Sequence, residues 1–334
     1  MSSEPGSNSA RRSIAREFAG LAREGKNSFW RYLVSILLIL FLWFGLGGFL
    51  FLIPNILAEN DGDPDTYVDG QTLEAVGYPI TEFAFLMLGF LFLWVGLFIA
   101  MRFIHRRPFL TLVTVYRRVN WRRMAQGFGI YLAIAAVGFF VSYLLYPQDL
   151  RLVIEPARLL AFVPVVLALV PVQAAAEEVL NRGYFLQLFG LATSNWLVLS
   201  LINGILFALP HLGNPELPAV GEGFWVACIN FAIFGFLMAA VTLKDGGIEL
   251  AVGAHVATNI FAILMVNYDE TLIATPSVFE LLDTTLRYVD LSGTIIISVA
   301  FYLLAFRVFR RKEKAEGSSP RGDRRSPDKE VSDT

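Results

Sequence analysis

Three segments of this 334-residue chain place ionisable side chains inside otherwise apolar runs. The first is Ala174-Ala175-Ala176-Glu177-Glu178-Val179-Leu180-Asn181-Arg182, the second Phe207-Ala208-Leu209-Pro210-His211, and the third His255-Val256-Ala257-Thr258-Asn259. On a helix Glu178 and Arg182 stand four positions apart on one face and can pair, whereas Glu177 is turned about 100° from Glu178 and is left without a local cation. His255 and Asn259 share a face by the same spacing. The chemistry open to such a set is hydrolysis without a covalent nucleophile. A carboxylate stripped of water is suited to act as a general base toward a water molecule. A neutral imidazole can share that water, while a second imidazole and an amide NH₂ can donate hydrogen bonds to a developing oxyanion. No G-x-S-x-G or H-E-x-x-H pattern occurs to suggest another hydrolytic site.

The elements that must position these residues are membrane helices. The chain is 55% hydrophobic and only 17% charged, with 27 further glycines, which argues against an ordinary soluble enzyme. Apolar runs predict spans near Tyr32 to Leu57, Ile80 to Met101, Met124 to Tyr146, Leu159 to Leu188, Trp196 to Pro210, Phe224 to Leu243, Ile248 to Val266, and Thr294 to Phe309. The expected fold is all-α, a polytopic bundle of about eight transmembrane helices, with the site opening between the fourth, fifth and seventh. The first run begins too late and is too long for a cleavable signal peptide, so it reads as a retained helix. The one cysteine, Cys228, excludes an intramolecular disulfide and a cysteine-built metal site.

Charge is segregated along the chain. Basic residues occupy the head (Arg11 to Arg31), the loop after the second span (Arg102 to Arg123) and the tail (Arg310 to Lys314), whereas the segment Glu59 to Thr81 holds Asp61, Asp63, Asp65, Asp69 and Glu74 and no Lys or Arg. An even number of spans puts every basic block on one side, which predicts both termini in the cytoplasm. Trp30, Trp121, Trp196 and Trp225 fall at expected helix ends, as interfacial anchors do. The division expected is a polar head over 1–31, three spans over 32–158, a catalytic core over 159–266, an outer loop and last span over 267–309, and a tail over 310–334. The extreme ends, 1–12 and 315–334, are too polar to offset chain entropy and read as disordered. His105, beside Arg106 and Arg107, reads as a solvated bystander. No nucleic-acid partner is suggested, and no internal repeat points to an inverted-repeat transporter.

In this order and on successive helices, E-E-x-x-x-R (Glu177, Glu178, Arg182), F-x-x-x-H (Phe207, His211) and H-x-x-x-N (His255, Asn259) resemble the CAAX-protease and bacteriocin-processing (CPBP) family of intramembrane endopeptidases. The likeness covers about Leu159 to Val266 and extends to the context Phe207 to Pro215 and Gly246 to Leu250, which looks like bacterial members. The resemblance implies that Glu177 activates the attacking water with help from His211, that His255 and Asn259 form the oxyanion hole, and that Glu178, Arg182 and Phe207 support the site. It implies a membrane-associated protein or peptide as substrate and the bacterial inner membrane as location. No cofactor is required by the glutamate-water chemistry favoured here; a zinc on a Glu/His/His set is the alternative.

Blander explanations exist for each motif alone. Glu178 with Arg182 is the kind of pair that buried charges form anyway, His255 with Asn259 could be interhelical hydrogen bonding, and His211 beside Pro210 could be interfacial. Taken with Glu177 the set reads as catalytic, against a non-catalytic scaffold or bacteriocin-immunity protein of the same fold and, behind that, a proton-coupled transporter. One expectation is in tension with the rest. Counted from Trp196, His211 falls near the outer face while Glu177 lies mid-membrane or deeper, which calls for a shifted boundary, a kink at Pro210 or a re-entrant stretch near Leu186 to Asn195; Pro164 and Pro171 raise the same question for the fourth span.

Overall fold

A computed structural model describes residues 14–70, 73–213, 221–267, 275–282 and 285–309. The tails expected to be disordered, the basic block Arg310 to Lys314, and Asn214 and Pro215 lie outside the described residues. Eight apolar helices follow in chain order: α1 (Phe29–Asn60), α2 (Pro79–His105), α3 (Trp121–Leu145), α4 (Pro156–Phe189), α5 (Trp196–Gly213), α6 (Glu222–Asp245), α7 (Glu249–Met265) and α8 (Asp290–Val308). All but α7 are long and apolar enough to cross a membrane. The expected polytopic helical bundle is therefore the fold.

Local sequence explains where the helices start. Pro79 and Pro156 open α2 and α4 at positions where a missing N–H costs nothing. Asn120 caps α3 by accepting from Arg123 N at 3.0 Å, and Asn195 caps α5 by accepting from Leu197 N at 3.0 Å. α6 ends at Gly246, whose φ of +73° suits glycine at a helix C-terminus.

The shortest helix is the centre of the bundle. α7 is buried without interruption from Glu249 to Ala257, as expected of a helix that is apolar all round, and packs against α3, α4 and α6. Its crossing with α3 is close because Gly253 leaves no side chain: a Cβ there would meet Met124 O at 2.0 Å. α5 crosses α6 in the same way through Gly204 and Gly235, where a Cβ on Gly235 would lie 2.9 Å from Gly204 Cα. The outer faces carry the exposed apolar side chains that a bilayer covers, among them Phe44, Phe98, Phe140, Leu160 and Ile296.

Short β elements, which the sequence pattern does not announce, finish one end. β1 (Tyr67–Val68) pairs antiparallel with β2 (Ala75–Val76). β3 (Leu150–Leu152), β4 (Val266–Asn267) and β5 (Phe279–Leu281) form a sheet in the order β3-β5-β4, with β5 antiparallel to β3 and parallel to β4. This sheet ties the connection after α3 to the end of α7.

At the opposite end the expectation for His105 is corrected. Its ring is buried, with Nδ1 2.9 Å from Lys26 O and Nε2 2.9 Å from the Tyr184 hydroxyl and 3.2 Å from Ser35 Oγ. The chain after His105 turns through Arg106, in the left-handed region at φ +54°, and folds back, so the ring joins α1, α2 and α4 instead of meeting solvent. Arg107 is buried beside it, donating to Gln187 Oε1 at 2.8 Å, and burial pulls its pKa down to about 10.

Candidate active site

α4 runs unbroken through Pro164 and Pro171 to Glu178 and then widens into a π-helical stretch, Val179–Phe185. Such widened turns often accompany functional sites. Side-chain amides satisfy the carbonyls there: Asn181 Nδ2 donates to Glu177 O at 2.9 Å, and Asn203 Nδ2 on α5 donates to Asn181 O at 2.8 Å. Within a membrane no water is at hand to do so.

Glu178 and Arg182 pair as the spacing predicts, both fully buried, with Arg182 Nη1 3.0 Å from Glu178 Oε1. Arg182 also donates to Gly235 O at 3.4 Å and lies with its guanidinium carbon 4.5 Å over the Phe207 ring. Phe207 thus packs between the cation and the two imidazoles, its centroid 5.7 Å from His255 and 4.9 Å from His211.

His255 stands between the two glutamates. Its Nδ1 lies 2.8 Å from Glu178 Oε1 and its Nε2 3.6 Å from Glu177 Oε2. With Arg182 against Glu178 that carboxylate acts as acceptor, so Nδ1 donates. Nε2 then faces Glu177 at a distance beyond a direct hydrogen bond, where one water can touch both groups.

One turn along α7, Asn259 Nδ2 donates to Gln173 Oε1 at 3.0 Å. Gln173 sits one turn before Glu177 on the same face of α4. This bond fixes which way the Asn259 amide points and leaves its second N–H available. Gln173, Asn181 and Asn203 escaped the sequence reading. Uncharged amides in an apolar run carry a weak signal, although the four-residue spacing of Gln173 from Glu177 was there to be seen.

His211 closes the set. Its Nδ1 lies 2.8 Å from Phe207 O, and because a carbonyl only accepts, Nδ1 carries the hydrogen and the neutral ring keeps its lone pair on Nε2. The ring stacks on Phe231 with centroids 4.2 Å apart. Together with Glu177 it lines a cavity of about 330 Å³ whose other walls are largely apolar, including Ile39 and Trp43 of α1, Leu180 of α4 and Leu206 of α5. This cavity thus borders α1 as well as α4 and α5, a wall the sequence did not suggest, while α7 brings His255 to Glu177 and Asn259 to Gln173 without lining it.

The tension over depth also resolves. α4 continues to Phe189 and the chain turns over 190–195 before α5 begins at Trp196. Glu177 is 12 residues before one end of that turn and His211 15 residues beyond the other, so both lie at a similar level of the hairpin. No re-entrant stretch is needed; the last turn of α5, Leu209–Gly213, tightens to 3₁₀ geometry at Pro210. Among the described residues no group of three or more His, Cys, Asp and Glu side chains is placed to hold a metal ion.

Comparison with known proteins agrees with the motifs. Residues 156–261 match the family described as Type II CAAX prenyl endopeptidase Rce1-like. The chain is 31% identical over 307 residues to YyaK of Bacillus subtilis (strain 168), described as uncharacterized, covering 88% of this chain and 97% of that protein. No solved structure matches. The chain belongs to the CPBP family, and at the level of that family it is a CAAX-type protease of the membrane.

Proposed function

We propose that this protein is an endopeptidase that hydrolyses a peptide bond of a membrane-associated protein or peptide with a water activated by Glu177. The observation that carries this reading is the meeting of Glu177 and His211 at one cavity, with His255 beside Glu177 and Asn259 held by Gln173 one turn away on α4. Glu177 takes a proton from the water as its oxygen bonds to the carbonyl carbon, and the unprotonated Nε2 of His211 shares that water. Negative charge gathers on the carbonyl oxygen, where the Nε2–H of a His255 ring protonated on both nitrogens, its Nδ1–H held by Glu178, and the free Asn259 N–H are the available donors. When the C–N bond breaks, the proton held by Glu177 passes to the leaving amine. Glu178 and Arg182 hold the His255 ring and stay outside the bond changes.

The work is assigned to the segment 159–266, with α1 contributing the apolar wall along which a substrate enters. Both termini are placed in the cytoplasm of a cell, with the protein in its cell membrane. In support, the head, the segment after α2 and the α4–α5 turn meet at one end, where Lys26 N donates to His105 O and Arg23 to Leu191 O, while the acidic segment after α1 lies past the far end of that helix.

The test compares new protein termini in membranes of cells producing wild type or Glu177→Gln at matched levels. A fragment that forms with wild type alone supports the reading and names the substrate. Unchanged termini, together with rescue of a deletion phenotype by Glu177→Gln, would hand the protein to the non-catalytic scaffold reading.

A further inference from the structure

A second groove lies between α6 and α8 and shares no lining residue with the cavity of Glu177 and His211. Its volume is about 610 Å³, and its walls include Ile233, Leu237 and Leu243 of α6 and Ile295, Val299 and Leu303 of α8. At its end stands Lys244, whose Nζ lies 2.6 Å from the Tyr302 hydroxyl, 3.9 Å from the centroid of the Tyr302 ring and 4.1 Å from that of Phe306. Among the described residues Lys244 has no carboxylate within ion-pair distance, and the adjacent Asp245 is engaged by Arg123 at 3.0 Å. One of three ammonium donors is spent on Tyr302, which leaves two. Trp196 lies at the rim, at the start of α5, and Ala15 of the helical head lies beside it.

We propose that this groove binds one anionic phospholipid, with its phosphate on Lys244 and an acyl chain along the groove. Three features select this occupant. The ammonium is half-buried on aromatic faces and, among the described residues, has no anion beside it, so a phosphate completes its coordination. From Lys244 to Ile233 the groove follows α6 for about 16 Å, close to the ~15 Å of one leaflet's hydrocarbon. Trp196 and Tyr302 mark the headgroup level, as amphipathic rings do. The phosphate thus sits at the polar boundary and the chain runs inward, the geometry of a lipid in its own leaflet. The inference stands apart from the peptidase reading, since neither Lys244 nor the groove takes part in that chemistry.

The experiment reconstitutes the full chain in vesicles of equal phosphatidylglycerol and phosphatidylcholine, releases it in mild detergent and measures retained lipid by native mass spectrometry. Wild type is expected to retain phosphatidylglycerol about fivefold over phosphatidylcholine, the ratio that one lysine near a bilayer surface commands. Lys244→Arg keeps the ratio, Lys244→Gln brings it close to one, and the exposed-site control Arg118→Gln leaves it unchanged. Ala240→Trp fills the groove with Lys244 in place and abolishes retention, so the test survives if Lys244→Gln does not fold. Equal retention of both lipids by wild type, an undiminished ratio in Lys244→Gln, or undiminished retention in Ala240→Trp would overturn the proposal.

Discussion

The Nδ1 of His255 lies 2.8 Å from Oε1 of Glu178, the same oxygen that Arg182 approaches to 3.0 Å. One buried carboxylate oxygen thus orients both the imidazole of α7 and the guanidinium of its own helix, and any change in Glu178 is felt at both.

Replacing Glu178 therefore separates folding from chemistry. Glu178→Gln leaves Arg182 as an uncompensated buried cation and is expected to lower stability by about 3–5 kcal/mol. Arg182→Met added to Glu178→Met recovers much of that loss, whereas Glu177→Gln, at the cavity wall, leaves stability near wild type and abolishes cleavage. Thermal unfolding in detergent, read beside cleavage of the substrate found by terminus analysis, checks all three.

Gln173 orients the Asn259 amide and does not itself enter the bond changes. Gln173→Leu is expected to slow cleavage about tenfold in kcat with little change in KM, less than the ~10²–10³ of losing an oxyanion donor outright. Gln173→Glu, whose carboxylate can accept the same hydrogen bond, restores part of the rate. Equal loss in Leu and Glu variants would show that the amide pair is mere packing.

The helix crossings give a pair of glycine substitutions with opposite outcomes. Gly253→Ala drives a methyl into Met124 O, and should cost on the order of 1–3 kcal/mol or prevent folding. Gly129→Ala, also in a helix interior, meets nothing within 4 Å and should be neutral or gain up to about 1 kcal/mol. Melting temperatures of the two variants decide the matter.

The polar segment after α1 carries a pH dependence of defined sign. Asp61 accepts from the Asp63 backbone N–H, from the Thr66 hydroxyl and from the Tyr78 hydroxyl, and these bonds hold its carboxyl below the ordinary value of 3.8. A pKa depressed on folding stabilises the folded segment above 3.8, and the stabilisation is lost as pH falls through the lower folded value. Hydrogen exchange at the Asp63 amide should therefore be flat from pH 7 to about 5, after correction for intrinsic rates, and lose protection only in stronger acid; Asp61→Asn should remove that acid dependence.

The bundle was legible because the bilayer demands apolar runs: all eight helices announce themselves in that way, seven of them long enough to cross it. The Glu178–Arg182 pair was legible because a helix fixes neighbours four apart. What escaped was whatever depends on contacts between distant segments. His105 has two arginines next to it in sequence, and only the folded chain reveals Lys26 O, Ser35 and Tyr184 around it. The apolar wall from α1 escaped for the opposite reason: Ile39 and Trp43 resemble every other lipid-facing residue until a cavity is seen beside them. The three-stranded sheet was hidden by strands of two or three residues, too short for any period to register.

The α4–α5 hairpin sets a vertical register between Glu177 and His211. Residues added within the turn 190–195 lengthen it outside the membrane and leave both side chains at their level. One residue added between Glu178 and Phe189 would displace Glu177 by about 1.5 Å and swing it through about 100°, away from its partner. The turn is thus a tolerant handle for a tag or fluorophore, and the twelve positions preceding it form a gauge that holds the carboxylate in step with the imidazole.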